Sequence, residues 1–180
     1  MNFIKTEIEG VFIIEPKVFE DERGYFYESY SKKDFDEVGL DYNFIQDNQS
    51  KSSYGTIRGL HFQKGEFAQA KLVRVLDGTV LDVAVDLREG SETYGKHVAV
   101  ELSAENKRQL LIPRGFAHGF SVLSETAVFA YKCDNLYNKA SEGGLLYNDK
   151  ELGIDWKVDL DKVILSDKDK INPKLVEINK

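Results

Sequence analysis

Apolar and polar residues alternate in short runs along most of this chain, the period of strands that bury one face. Residues 11–14 form the first such run. Asp21-Glu22-Arg23-Gly24 then breaks the pattern, and Tyr25-Phe26-Tyr27-Glu28-Ser29-Tyr30 predicts an aromatic strand. Residues 31–38 predict the one early helix, with Ser31 as its N-cap and Gly39 just past its end. Residues 56–63 predict a strand interrupted by Gly59. Residues 71–76 and 79–87 flank Asp77-Gly78, the dipeptide of a type I′ turn, and predict a hairpin. Further strands are predicted over 97–102, 109–112, 119–123 and 127–133. Beyond about Lys139 the texture becomes polar and loop-like, with Trp156, Ile164 and Leu165 expected to pack back on the strands. Closely spaced strands with polar or glycine turns predict an all-β antiparallel sandwich or barrel.

Composition narrows the class. The 180 residues suit a single domain of 1–180 with a full core, and 42% hydrophobic with 31% charged residues is a globular balance. There are 24 basic and 31 acidic residues, a net charge of −7. That argues against a nucleic-acid surface, which needs a basic field, but leaves room for an anionic small molecule held by a few arginines. The lone cysteine, Cys133, can form neither an intrachain disulfide nor a thiolate cluster, so the expected setting is reducing and cytoplasmic. Glu7 and Glu9 near the start are unlike a signal peptide, and no apolar run reaches bilayer length, so no membrane partner is expected.

Alternation also assigns faces. Lys71 falls in line with Val73 and Val75, where the simpler reading is a lysine at the strand mouth reaching water. Leu81, Val83, Val85 and Leu87 share one face, and Val80, Asp82, Ala84 and Asp86 the other. A solvated face is the commoner explanation for those two carboxylates. Tyr131 lies in line with Ala127, Phe129 and Cys133 and reads as a core tyrosine. Of the three histidines, His97 looks superficial, and His61 and His118 lack the His-x-His spacing and third ligand of a metal site. No phosphate-binding glycine loop, dinucleotide fingerprint or Gly-x-Ser-x-Gly elbow occurs.

Longer blocks say more. Arg58-Gly59-Leu60-His61-Phe62-Gln63 is followed by Gln69-Ala70-Lys71-Leu72-Val73-Arg74-Val75, then by Asp82-Val83-Ala84-Val85-Asp86-Leu87-Arg88. Ile112-Pro113-Arg114-Gly115-Phe116-Ala117-His118-Gly119-Phe120 comes next. With Asp21-Glu22-Arg23-Gly24-Tyr25-Phe26, Gln46-Asp47-Asn48, Tyr131-Lys132-Cys133 and Ser166-Asp167-Lys168-Asp169, the chain resembles the dTDP-4-dehydrorhamnose 3,5-epimerase family from about residue 10 to 169.

The resemblance implies a cupin-type jelly roll with a few short helices, mainly near the termini, acting as a homodimer without metal or organic cofactor. Residues 1–55 would supply N-terminal strands with dimer and nucleotide contacts, 56–135 the barrel core, and 136–180 an extension packed on it. The implied reaction inverts C3 and C5 of dTDP-4-dehydro-6-deoxy-glucose, giving dTDP-4-dehydro-rhamnose. By resemblance His61 matches the base, Asp169 its carboxylate partner, Tyr131 the proton donor and Lys71 the group near the ketone oxygen. His118, Glu142 and Lys168 match substrate contacts, and Arg23, Glu28, Gln46, Asn48 and Arg58 match positions that hold the nucleotide and pyrophosphate. In that family the N-terminal segment crosses the dimer, which would send Arg23 and Glu28 to the neighbouring site. Two neighbouring readings stay open: an enzyme inverting only C3 or only C5, and a non-catalytic cupin that binds a sugar nucleotide. Arg58 and His61, three apart, belong to opposite faces of a regular strand, so a shared pocket requires a bulge at Gly59.

Overall fold

The alternation is realised as thirteen strands in a computed structural model that describes residues 1–178. In chain order they are β1 (Asn2–Lys5), β2 (Phe12–Glu15), β3 (Phe19–Asp21), β4 (Gly24–Phe26), β5 (Gln46–Ser53), β6 (Ile57–Gln63) and β7 (Lys71–Asp77). Then come β8 (Thr79–Asp86), β9 (His97–Ser103), β10 (Gln109–Ile112), β11 (Phe116–Val122), β12 (Thr126–Cys133) and β13 (Glu142–Gly144). One sheet has the order β1-β2-β10-β7-β12-β5, the other β13-β6-β11-β8-β9, and every pairing within them is antiparallel. This is the expected all-β sandwich. The helix α1 (Lys32–Glu37) starts where Ser31 accepts the Asp34 N–H, and the terminal ammonium of Met1 binds Asp34.

Several expectations need correcting. Strands β7 and β8 do not form a hairpin: β7 lies between β10 and β12, and β8 between β11 and β9 in the other sheet. Asp77-Gly78 is the corner where the chain changes sheets. Gly78 has φ 78°, and a Cβ there would stand 2.1 Å from the Thr126 carbonyl oxygen. The dipeptide therefore marks a close backbone crossing rather than a strand reversal. The aromatic strand is shorter than expected, ending at Phe26. It pairs with β3 in a small exposed ribbon that extends neither main sheet.

The third correction concerns Asp82 and Asp86, which face no solvent: both are 0% exposed. The β8 residues Val80 and Ala84 lie in the core between the sheets, with Val73 and Val75 of β7 and Phe129 of β12. The opposite face, Leu81, Val83 and Val85, is covered by the C-terminal segment through Leu145, Leu152 and Trp156. The central strands β8 and β11 of the five-stranded sheet are thus buried on both sides. Leu165 packs there, whereas the Ile164 side chain is exposed and its backbone instead bridges to Thr56 and Ile57. His97 is half-buried rather than superficial.

Candidate active site

The site begins at an irregularity in β6. His61 pairs with His118 of β11, but Arg58 pairs with Phe120, so three residues of β6 span two of β11. That is the bulge Arg58 and His61 required. Gly59 has φ 133°, and a Cβ on it would approach the Gly119 Cα to 2.5 Å. Two glycines let the backbones meet there, and both Arg58 and His61 line one cleft of about 640 Å³.

His61 Nε2 lies 2.5 Å from Asp169 Oδ1. Asp169 comes from a short 3-10 turn (Asp169–Ile171) and is almost wholly buried. Burial alone would raise its carboxyl. The hydrogen bond and charge of His61, with bonds from Ser166 and the Gly59 N–H, outweigh that and hold it below the usual carboxylate range. With Nε2 committed to the carboxylate, Nδ1 is the ring nitrogen free to take a proton.

A second pair stands beside the first. His118 Nε2 contacts both oxygens of Asp82, at 2.6 and 2.9 Å; Asp82 is fully buried, and His118 is nearly so where it lines the cleft. Lys71 is half-buried at the cleft. Its ammonium sits 5.8 Å from the centre of the Tyr131 ring, and both residues line the cleft. Burial pushes the Lys71 amine down, against the opposing pull of Cys133, Asp82 and Glu142. Burial pushes the Tyr131 phenol up, reinforced by Cys133 and opposed by Arg58. The phenol is therefore protonated at neutral pH, as a proton donor must be.

The remaining candidates divide. Asn48 and Arg58 line the cleft, with Arg58 Nε donating to Ser52 Oγ at 2.9 Å and Asn48 Nδ2 directed at Cys133 Sγ. Gln46 stands behind them, donating to Asn48 and accepting from the Tyr137 N–H. Glu142 is ion-paired with Lys168 and accepts a hydrogen bond from the Tyr137 hydroxyl. Arg23 and Glu28 do not line the cleft of their own chain. Arg23 lies in the β3–β4 ribbon with its side chain 85% exposed, bound only to Asp21. Among the described residues, no three His, Cys, Asp or Glu side chains converge as a metal-ligand set.

Known proteins place this arrangement. The family model for dTDP-4-dehydrorhamnose 3,5-epimerase matches residues 5–177. The dTDP-4-dehydrorhamnose 3,5-epimerase of Shigella flexneri is 57% identical over 178 residues, covering 98% of this chain and 97% of that protein. The crystal structure of the same enzyme from Elizabethkingia anophelis is 62% identical with a TM-score of 0.96, over 100% of this chain and 99% of that one. The chain belongs to the dTDP-4-dehydrorhamnose 3,5-epimerase family. A further family structure, from Legionella pneumophila in complex with dTDP-4-keto-L-rhamnose, is 52% identical with a TM-score of 0.94 and covers 98% of this chain and 94% of that one.

Within this epimerase, Asp82, buried behind the cleft residue His118, is what face assignment missed. The signal was present, since it alternates with Val80 and Ala84. What could not be read was that a second layer covers the far side of the sheet. Ser166, which lines the cleft and accepts the Asp169 N–H, was visible only as part of a motif.

Proposed function

We infer that this chain epimerises dTDP-4-dehydro-6-deoxy-glucose at C3 and C5, with the His61–Asp169 pair facing Lys71 and Tyr131 in one cleft as the observation that carries the reading. Both carbons flank a ketone, so each hydrogen can leave as a proton to give an enolate. His61 Nδ1 is the base, and Asp169 orients the ring and stabilises the imidazolium, a pairing typical of groups worth about 10²–10⁴ in rate. Lys71 meets the negative oxygen of the enolate, a contribution of about 10²–10³ for such a donor. Tyr131 returns a proton from the opposite side, which inversion demands. No metal enters, because Lys71 supplies the positive charge that a Lewis acid would. Arg58, Asn48, Gln46, His118, Glu142 and Lys168 hold the substrate. Arg23 and Glu28 complete the site of a second copy in a homodimer, consistent with neither of them lining the cleft of its own chain. The setting is the cytoplasm; among the described residues no helix is long and apolar enough to cross a membrane.

The test is NMR of the keto-sugar in D₂O with excess chelator. Wild type should label and invert both carbons. His61→Asn should do neither, falling by about 10²–10⁴. Tyr131→Phe keeps the base and Lys71, so it should exchange hydrogen with retained configuration while losing inversion. Normal epimer yield from Tyr131→Phe removes Tyr131 from the mechanism, and labelling of a single carbon by wild type reduces the enzyme to a mono-epimerase.

A further inference from the structure

The carboxylate that orients the base belongs to neither sheet. Asp169 opens a 3-10 turn in the C-terminal segment, and what that turn rests on sets its place against His61. One end is held where Ser166 Oγ accepts the Asp169 N–H. The other end is Asn172, which rests on Gly144 of β13. A Cβ on Gly144 would stand 2.6 Å from Cγ, Oδ1 and Nδ2 of Asn172 alike, so the amide lies with its flat face on bare backbone. Gly144 has no positive φ, so its backbone would accept a side chain, and Asn172 is what excludes one. Asn172 Nδ2 is buried without a hydrogen-bond partner among the described residues, so shape rather than hydrogen bonding holds that group there. Gly144 is also the cross-strand partner of His61. Leu60 and Leu145 beside them exchange both backbone hydrogen bonds, which makes 61–144 the close, non-bonded kind of pair with side chains on one face.

We propose that Gly144 is a positioning residue for the base: its missing side chain is the seat of Asn172, and that seat sets the Asp169 carboxylate against His61 Nε2. This rests on the reading of His61 as base and Asp169 as its orienting group. The contacts close a short ring. It runs from His61 to Gly144 across the strands, from Gly144 to Asn172 by contact, through one turn to Asp169, and back to His61 at 2.5 Å. Just past the seat, the Leu146 N–H donates to the Pro173 carbonyl at 2.8 Å and ties the same two segments again. A methyl on Gly144 needs ordinary contact at 3.4–4 Å, so the amide would have to withdraw by about 1 Å. A carboxylate carried the same distance leaves hydrogen-bond range of Nε2. Gly143 is the natural comparison. A Cβ there would meet the Phe62 ring at 2.6 Å, an equal crowding, but on the opposite face of β13 and away from the Asp169 turn.

The experiment is nitrogen-15 NMR of histidine-labelled enzyme at about pH 8.5, where ordinary imidazoles are neutral and the two tautomers differ in shift. The chain has three histidines to assign. In wild type His61 should carry its proton on Nε2 alone, because Asp169 accepts it there. Gly144→Ala should mix the two tautomers and lower kcat by about 10²-fold, with KM changed less. Asn172→Ala leaves a gap over Gly144 and should mix them too, and it keeps the test open should Gly144→Ala fail to fold. In Gly144→Ala/Asn172→Ala the new methyl fills that gap. This double variant should restore the Nε2–H form and regain about 10-fold in kcat over Gly144→Ala. Gly143→Ala should keep the wild-type tautomer whatever it costs in stability. A pure Nε2–H form in either single variant of the seat, a double variant no better than both, or mixing in Gly143→Ala overturns the proposal. Mixed tautomers in wild type overturn it as well. A wild type with the Nε2–H form that does not epimerise the keto-sugar overturns the functional reading instead, because the spectra need no turnover.

Discussion

At the scale of single residues, the carboxylates of β8 show what burial does to a charge. Asp86 is fully buried and accepts from Arg88, Ser91 and Thr93. Burial alone would raise it; those donors more than compensate and hold it well below the usual carboxylate range. A depressed carboxyl stabilises the fold above its unfolded value, roughly 3.9, and loses that contribution as pH falls toward the folded value. Asp86→Asn should therefore cost about 2–4 kcal/mol at pH 7, because it strands buried donors. The gap from wild type should narrow below about pH 4. Thermal melts of both proteins across pH 3–7 measure this, and a gap that stays constant would place the effect in packing rather than charge. The same two positions explain why sequence reading stopped short. Alternation separates the Asp82–Asp86 face from the Leu81–Val85 face correctly, but it does not say which is covered. Here the C-terminal segment covers one and the second sheet the other, so neither is wet.

At the scale of elements, strands β6 to β12 were largely legible from their apolar runs bounded by glycine or polar turns, whereas β5, which has no apolar residue, was not predicted. The strands' partners were not legible. Asp77-Gly78 carries hairpin chemistry, yet its glycine serves a crossing between sheets: Gly78 has the positive φ but Asp77 does not, whereas a type I′ turn needs it at both. Gly59 was legible for the opposite reason: a stated geometric conflict between Arg58 and His61 had one local solution, and the strand adopts it. A methyl group at Gly59 must push β6 away from β11, moving both side chains. Gly59→Ala should lower kcat/KM by about 10²-fold or more, since shifts of order 1 Å in reacting groups have that effect. Gly39→Ala is the control: it also has positive φ, at 79°, but nothing lies within 4 Å of its would-be Cβ. It should cost about 1–2 kcal/mol of stability and leave turnover unchanged at a temperature where it is folded. Equal kinetic damage from both substitutions would refute the close-approach argument.

At the scale of the whole molecule, the candidate site draws on distant parts of the chain: Arg58 and His61 from β6, Lys71 from β7, Tyr131 from β12 and Asp169 from near the C-terminus. The family blocks made these positions legible together, while composition and spacing alone left each looking structural. Arg23 extends the point beyond one chain. Mixing inactive Arg23→Ala with inactive His61→Asn should regenerate one complete site per heterodimer after subunit exchange; no recovered turnover would mean that Arg23 serves its own chain or none. The position of Asp169 has a consequence in time. The base on residue 61 finds its carboxylate 108 residues later, on a segment tied to the sandwich at Ile57–Ile164 and Leu146–Pro173. In order of synthesis, every strand of the two sheets precedes that segment. A chain that has paired its strands is thus still chemically silent, its histidine untethered, until the tail docks.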